Sequence, residues 1–107
     1  MTTHYCYVVR VGSNVKIGYS ASMEKRMKTI NTHAHTKPQI LCLFPFQTET
    51  GARACEKRLH YNLRFSRLNG EWFSASRVIK FLKASGTVLF DEEVELPDGA
   101  IEHMRSF

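Results

Sequence analysis

The segment that most constrains the fold is residues 4–20, HYCYVVRV-GSN-VKIGYS, where two β-favouring runs flank a Gly12-Ser13-Asn14 cluster. Val, Ile and Tyr suit a pleated, half-buried surface, and Gly-Ser-Asn supplies the conformations of a tight reversal, so the segment predicts a β-hairpin. A one-residue slip of register would exchange the two faces. If Gly12 pairs with Val15, then Val11 faces Lys16 and Tyr7 shares their face. If Val11 pairs with Val15, Tyr7 stands opposite Tyr19 and Lys16 is turned away. Local chemistry leaves both registers open.

Beyond the hairpin, Ser20 or Ser22 can cap a helix with Glu24 in its first turn. Met23, Met27 and Ile30 make its apolar stripe, and Arg26 lies at the stripe's edge. Asn31 to Pro38 reads as a polar loop, and Gln39 to Phe46 as a third strand, apolar on both faces and so covered on both sides. Thr48 or Thr50 can cap a second helix, running to about Leu63 or Phe65 along Ala52, Cys55, Leu59 and Leu63. Glu56 falls inside that stripe, and an inward carboxylate is costly unless a cation or hydrogen-bond donors meet it. Asn69-Gly70 makes a turn, and Glu71-Trp72-Phe73 returns a heavy apolar anchor to the body. Ser74 or Ser76 caps a third helix ending near Gly86, and Thr87 to Phe90 has the composition of a short strand.

Charge divides this chain of 107 residues in two. Residues 1–90 hold fourteen Lys/Arg against four acids, a net of +10, and residues 91–107 hold one Arg against six acids, a net of −5. A basic body of this size favours a polyanion, most often nucleic acid. The expected organisation is one domain over residues 1–90 followed by an acidic C-terminal tail over 91–107. The sharper expectation for the tail is that it folds over the basic groove and competes with DNA; the plainer one is a solvated extension. No apolar run is long enough for a membrane span and no leader is evident, while three scattered cysteines, Cys6, Cys42 and Cys55, form no C-x-x-C pair. A reduced, cytoplasmic setting is expected.

Taken in order, a strand tyrosine (Tyr7), Val15-Lys16-Ile17-Gly18-Tyr19-Ser20, Arg26 on the next helix, Glu56-Lys57-Arg58-Leu59-His60, and Gly70-Glu71-Trp72-Phe73 resemble the GIY-YIG nuclease superfamily. The branch is the phage-type one, grouped with the meiotically up-regulated gene 113 domain, and the likeness covers about residues 5–83. It implies an α+β fold with a small three-stranded, mainly antiparallel sheet flanked by helices. It also implies a metal-dependent endonuclease that hydrolyses DNA phosphodiester bonds with one Mg²⁺ or Mn²⁺. Tyr7 then corresponds to the residue that activates or orients the attacking water, Arg26 to the phosphate-holding arginine, and Glu56 to the metal ligand. Lys16 stands where many members have Tyr, and could bind phosphate or assist proton removal. Four residues after Arg26, where other members often carry His or Tyr, this chain has Ile30; Tyr19 and His60 are the candidates to replace it. Asn69 is the candidate for the family's late asparagine. The resemblance favours the register that puts Tyr7 and Lys16 on one face.

Each assignment has a plainer counterpart. Tyr7 can be a core tyrosine, Arg26 can snorkel along its helix, Glu56 can pair with Arg26, and Lys16 can be solvated. His33 and His35 suit a solvent-facing loop better than a metal tract, and Trp72 suits a core anchor better than a base-stacking role. The basic surface expected to neutralise phosphates comprises Lys25, Lys28, Arg53, Lys57, Arg58, Arg64 and Arg67. A lone domain of this kind carries no separate recognition module, so strong site specificity calls for another protein or a homodimer. The alternatives to an enzyme are a non-catalytic nucleic-acid-binding module that retains the fold, and an interaction protein whose basic face meets an acidic partner.

Overall fold

In the computed structural model, which describes residues 2–90, the hairpin is the centre of the sheet: β1 (His4–Val11) pairs antiparallel with β2 (Asn14–Ser20). Gly12 takes φ +62, the left-handed conformation a two-residue reversal asks of its first central position. Val11 therefore pairs with Asn14, Val9 with Lys16, and Tyr7 with Gly18. Neither expected register forms, because Asn14 joins the strand instead of the turn. The observed register differs from the first expectation by two residues, so the face relation is the same and Tyr7 and Lys16 share a face. Tyr19 pairs with Cys6 and belongs to the other face.

Among the described residues the sheet has five strands, not three, in the order β3-β1-β2-β5-β4, with every pairing antiparallel. The α+β class stands. The third expected strand is β3 (Gln39–Phe46), while β4 (Arg67–Asn69) and β5 (Trp72–Ser74) are three-residue additions. Three residues are too few to show an alternation. Phe73 is the expected core anchor and is fully buried, whereas Trp72, paired with Lys16, is only half-buried and belongs to neither core. Two further corrections concern loops. The first helix runs on through Thr32 and His33 instead of ending at a loop from Asn31, and Thr87 to Phe90 forms no strand: the Thr87 amide bonds back to the Leu82 carbonyl and the Phe90 amide to the Leu41 carbonyl, each at 2.9 Å. The acidic tail lies outside the described residues.

Helix α1 (Met23–His33) covers one face of the sheet, and α2 (Glu49–Asn62) and α3 (Ala75–Ala84) cover the other. Side-chain alternation along β1 builds both cores at once. Tyr5, Tyr7 and Val9 pack with Met23 and Ile30 of α1, whereas Cys6 and Val8 pack with Val15, Ile17, Leu59, Leu63, Phe73, Val78 and Leu82. A strand apolar on both sides is thus covered on both sides, as β3 required. The α1 entry is tied by Ser20, whose buried hydroxyl donates to the Ser22 carbonyl at 2.9 Å and accepts from its amide at 3.0 Å. Thr48 caps α2 by accepting from the Gly51 amide at 3.1 Å. A short 3₁₀ turn, Arg64–Ser66, leads from α2 to β4. Among the described residues no helix is long and apolar enough to cross a membrane.

Candidate active site

The candidate groups meet where β2 runs out of neighbours. Strand β5 pairs only with Asn14, Val15 and Lys16, so the rest of β2 is held from outside by other means. The Ile17 amide donates to the Glu71 carbonyl at 3.0 Å, and His60 Nε2 donates to the Ile17 carbonyl at 2.8 Å. The turn after Asn69 and the end of α2 are thereby both fastened to Ile17. The residue after it is glycine. A Cβ built on Gly18 would collide with the Tyr7 hydroxyl and lie 2.6 Å from its Cζ, so the phenol lies directly over this bare position. A glycine inside a strand often marks such a close approach.

Tyr7 reaches this point as a buried side chain, 1% exposed. Burial is the main reason its phenol is pushed up to about 12; the Arg26 guanidinium beside it acts in the opposite direction, and the charges of Glu71 and Glu56 add to the rise. The Arg26 guanidinium carbon lies 6.0 Å from the Tyr7 ring centroid. Lys16 Nζ lies 4.0 Å from a Glu71 carboxylate oxygen and 5.8 Å from the centre of the Trp72 ring. The Glu56 carboxyl is raised above its ordinary value of 4.5, first by burial and next by the charge of Glu71. His60 and Arg53 pull it the other way. Glu56 meets Glu71, His60 and Arg53 instead of the Arg26 pairing considered from sequence.

The structure thus brings Tyr7, Lys16, Arg26 and Glu56 to one end of β2, with His60 alongside. The ring of His60 also packs edge-on to Phe73 at 4.9 Å, so its visible work is to hold the β2 edge. Tyr19 points to the opposite face, where its hydroxyl is 3.0 Å from His4 Nδ1 and its ring lies 4.7 Å from the Arg53 guanidinium carbon. Ile30 is a core residue of the α1 face. Asn69 is an exposed residue of β4. The seven basic residues are all exposed, but they do not form one surface: Lys25 and Lys28 ride on α1, whereas Arg53, Lys57, Arg58, Arg64 and Arg67 lie on α2 and the segment that follows it. The two groups flank the sheet from opposite sides.

One residue of the site was not singled out from sequence: Glu71. Its motif Gly-Glu-Trp-Phe reads as a turn and an apolar anchor, and 55 residues separate Glu71 from Lys16. The usable signal was an acid at the turn of a motif quoted for the resemblance. The free thiols of Cys6, Cys42 and Cys55 pack between the sheet and α2, away from the phenol.

The His60 bond makes a direct prediction. His60→Ala leaves the Ile17 carbonyl without its donor and is expected to destabilise the protein by about 1–2 kcal/mol, read as a lower urea midpoint with an unchanged slope. His60→Gln, which retains a donor, should recover part of the loss. Equal stability of His60→Ala and the parent protein would show that the bond contributes nothing.

Over 80 residues the chain is 35% identical to a protein named for a KilA-N domain, 315L of Invertebrate iridescent virus 6. The match covers 71% of this chain and 34% of that protein, so the chain spans about a third of its relative's length. No solved structure gives a significant match. The T5orf172 domain model matches residues 4–86, nearly the whole of the described fold and every residue of the site at the end of β2, and the chain belongs to the T5orf172 domain family.

Proposed function

We propose that this chain is a GIY-YIG-type endonuclease that hydrolyses DNA phosphodiester bonds with one divalent metal ion. The observation that carries the reading is the convergence at the β2 edge: a buried tyrosine hydroxyl over Gly18, a guanidinium beside its ring, and two carboxyls whose charges act on each other and on the phenol, supplied by four separate segments. A purely structural role explains none of the crowding of Glu56 by Glu71. The match to a viral protein agrees with the phage-type branch of the resemblance.

The donor chemistry fits Mg²⁺ or Mn²⁺. Glu56 and Glu71 offer hard carboxylate oxygens, and each carboxylate is relieved of the other's repulsion when a cation sits with them. Among the described residues there is no group of three or more His, Cys, Asp or Glu side chains able to hold a metal, so a cation held by these two carboxylates would draw its other ligands from phosphate oxygens and water. When bound, the metal supplies Lewis-acid stabilisation of charge on the phosphoryl oxygens. Tyr7, with its phenol pushed up to about 12, is neutral at physiological pH. Holding its proton, it is placed to orient the attacking water by hydrogen bonding. Arg26 holds the scissile phosphate and meets the charge that builds on it during attack. Lys16, beside Glu71, neutralises a neighbouring phosphate, and the exposed cations on α1 and α2 add salt-sensitive, largely sequence-independent affinity.

The test is incubation with supercoiled plasmid and with single-stranded DNA, in Mg²⁺ or Mn²⁺ and then in chelator. Metal-dependent nicking that Glu56→Gln abolishes is the expected result. A second reading, a DNA-binding module without turnover, draws on Ile30, which is committed to the core at a position where other members often carry a polar ring. DNA binding with no nicking under any of these conditions would select that reading. Absence of DNA binding altogether would overturn both and leave an acidic protein as the partner.

A further inference from the structure

Four large apolar side chains stand exposed among the described residues, and three of them, Tyr61, Phe65 and Leu68, fall within one eight-residue stretch. Tyr61 is 65% exposed and Phe65 82%. Between the two rings lies a guanidinium: Arg64 is 4.2 Å from the centre of the Tyr61 ring and 4.6 Å from that of Phe65. Its Nη1 donates to the Tyr61 carbonyl at 2.8 Å, which fixes the planar group against the end of α2. Residues 57–68 contain Lys57, Arg58, Arg64 and Arg67 and no acid. Stable monomer surfaces rarely cluster aromatic side chains in this way without a partner.

We propose that Tyr61, Arg64 and Phe65 form a stacking platform for an unpaired base, and that the preferred nucleic acid is single-stranded or carries a single-stranded segment. The inference rests on the nucleic-acid reading above and adds the substrate class to it. Aromatic faces and guanidinium planes bind unstacked bases of any sequence, and the adjoining cations meet the phosphates on either side. A regular duplex keeps its base faces covered and offers such a platform only its charge. A protein partner with an acidic surface would use the cations but leave the ring faces unexplained. The platform is also joined to the site along the chain. Tyr61 directly follows His60, and Glu56 is in the preceding turns of the same helix. The segment then runs through β4 to Glu71. A strand stacked here is held by the same stretch of chain that carries both carboxyls.

The test measures fluorescence anisotropy of labelled 20-nucleotide oligo-dT, oligo-U and a blunt 20-base-pair duplex, in chelator so that nothing is cut. The full chain is compared with the Tyr61→Ala/Phe65→Ala double variant and with Arg58→Ala. The double variant should bind both single strands about tenfold more weakly or worse and the duplex within about twofold of the parent protein. Arg58→Ala should weaken all three to a similar degree, because it meets phosphate alone. The rings are exposed, so the melting temperature of the double variant should not change. Unchanged single-strand affinity in the double variant, with binding by the parent protein intact, would overturn the platform and leave the nuclease reading standing. Equal losses on single strands and duplex would overturn it too, since the rings would then be acting through something other than unpaired bases. If the parent protein binds none of the three, the nucleic-acid reading fails first and the platform with it.

Discussion

Gly18→Ala is expected to damage both stability and cleavage, although it adds a single methyl group. The added Cβ would fall 2.6 Å from Tyr7 Cζ and closer still to its hydroxyl. The tyrosine has nowhere to go, because its ring is 1% exposed and packed in the α1-side core with Met23 and Ile30. Overpacking of a filled core costs about 1–3 kcal/mol, and in a domain of this size each kcal/mol lowers the melting temperature by about 4–8 °C. The activity loss should exceed what the unfolded fraction explains, since the displaced group is the hydroxyl we propose orients the attacking water. Tyr7→Phe provides the comparison. It removes the hydroxyl while retaining the ring, so Gly18→Ala placed on that background should destabilise less than on the parent protein. A melting temperature for Gly18→Ala equal to that of the parent would show that the phenol does not lie over Gly18.

Glu56→Gln is expected to have the opposite profile, with catalysis lost and stability retained or improved. Removing one preorganised charge-stabilising group typically lowers turnover by about 10²–10³-fold. The stability expectation follows from the direction of the Glu56 shift. Burial and the Glu71 charge raise its carboxyl above 4.5 in the folded protein, so folding favours the protonated form. That contribution is fully present below pH 4.5 and is lost as the pH rises through the folded-state value, leaving a charged carboxylate beside Glu71 near neutrality. Glutamine cannot ionise, so the variant should match or exceed the parent protein's melting temperature at pH 7 and lose its advantage as the pH falls toward 4.5. Divalent metal supplies a separate readout. Mg²⁺ or Mn²⁺ that binds only the folded state raises the melting temperature in proportion to its occupancy. The parent protein should show that rise and Glu56→Gln should lose most of it. A variant that is strongly destabilised at pH 7, or one that retains the full metal-induced rise, would remove Glu56 from the metal site.

Much of the local structure was legible because local chemistry governs it. The α2 cap at Thr48 or Thr50, the three amphipathic helices and the doubly apolar β3 each follow from spacing that a single segment carries, with the structure choosing Thr48. The same holds for the inward position of Glu56, whose helical spacing placed it in an apolar stripe before any partner was known. Register was the first place where this ran out. Val11 pairs with Asn14 because Asn14 can serve either as a turn residue or as a strand residue, and only the sheet around it decides which. The parity of the register mattered more than its value, and it keeps Tyr7 and Lys16 on one face. Strands β4 and β5 were illegible for a different reason: three residues carry no period, and β4 pairs only with β5, whose own β2 partner lies more than 50 residues away.

By itself, the sequence determined an α+β domain with a basic body, a hairpin at its start, and a tyrosine, an arginine and a glutamate whose order resembles that of the GIY-YIG superfamily. Those properties depend on residue type and near spacing, which survive any arrangement of the elements. The tertiary structure decided which of these groups meet. It brought Glu71 to Lys16 and Glu56, sent Tyr19 to the far face, divided the basic residues between two sides of the sheet, and left Tyr61 and Phe65 in solvent around Arg64. The reason is physical. Charge, burial and stacking act through space over a few ångströms, and the segments that supply them are brought together only when β2 and β5 pair and α2 closes over the sheet.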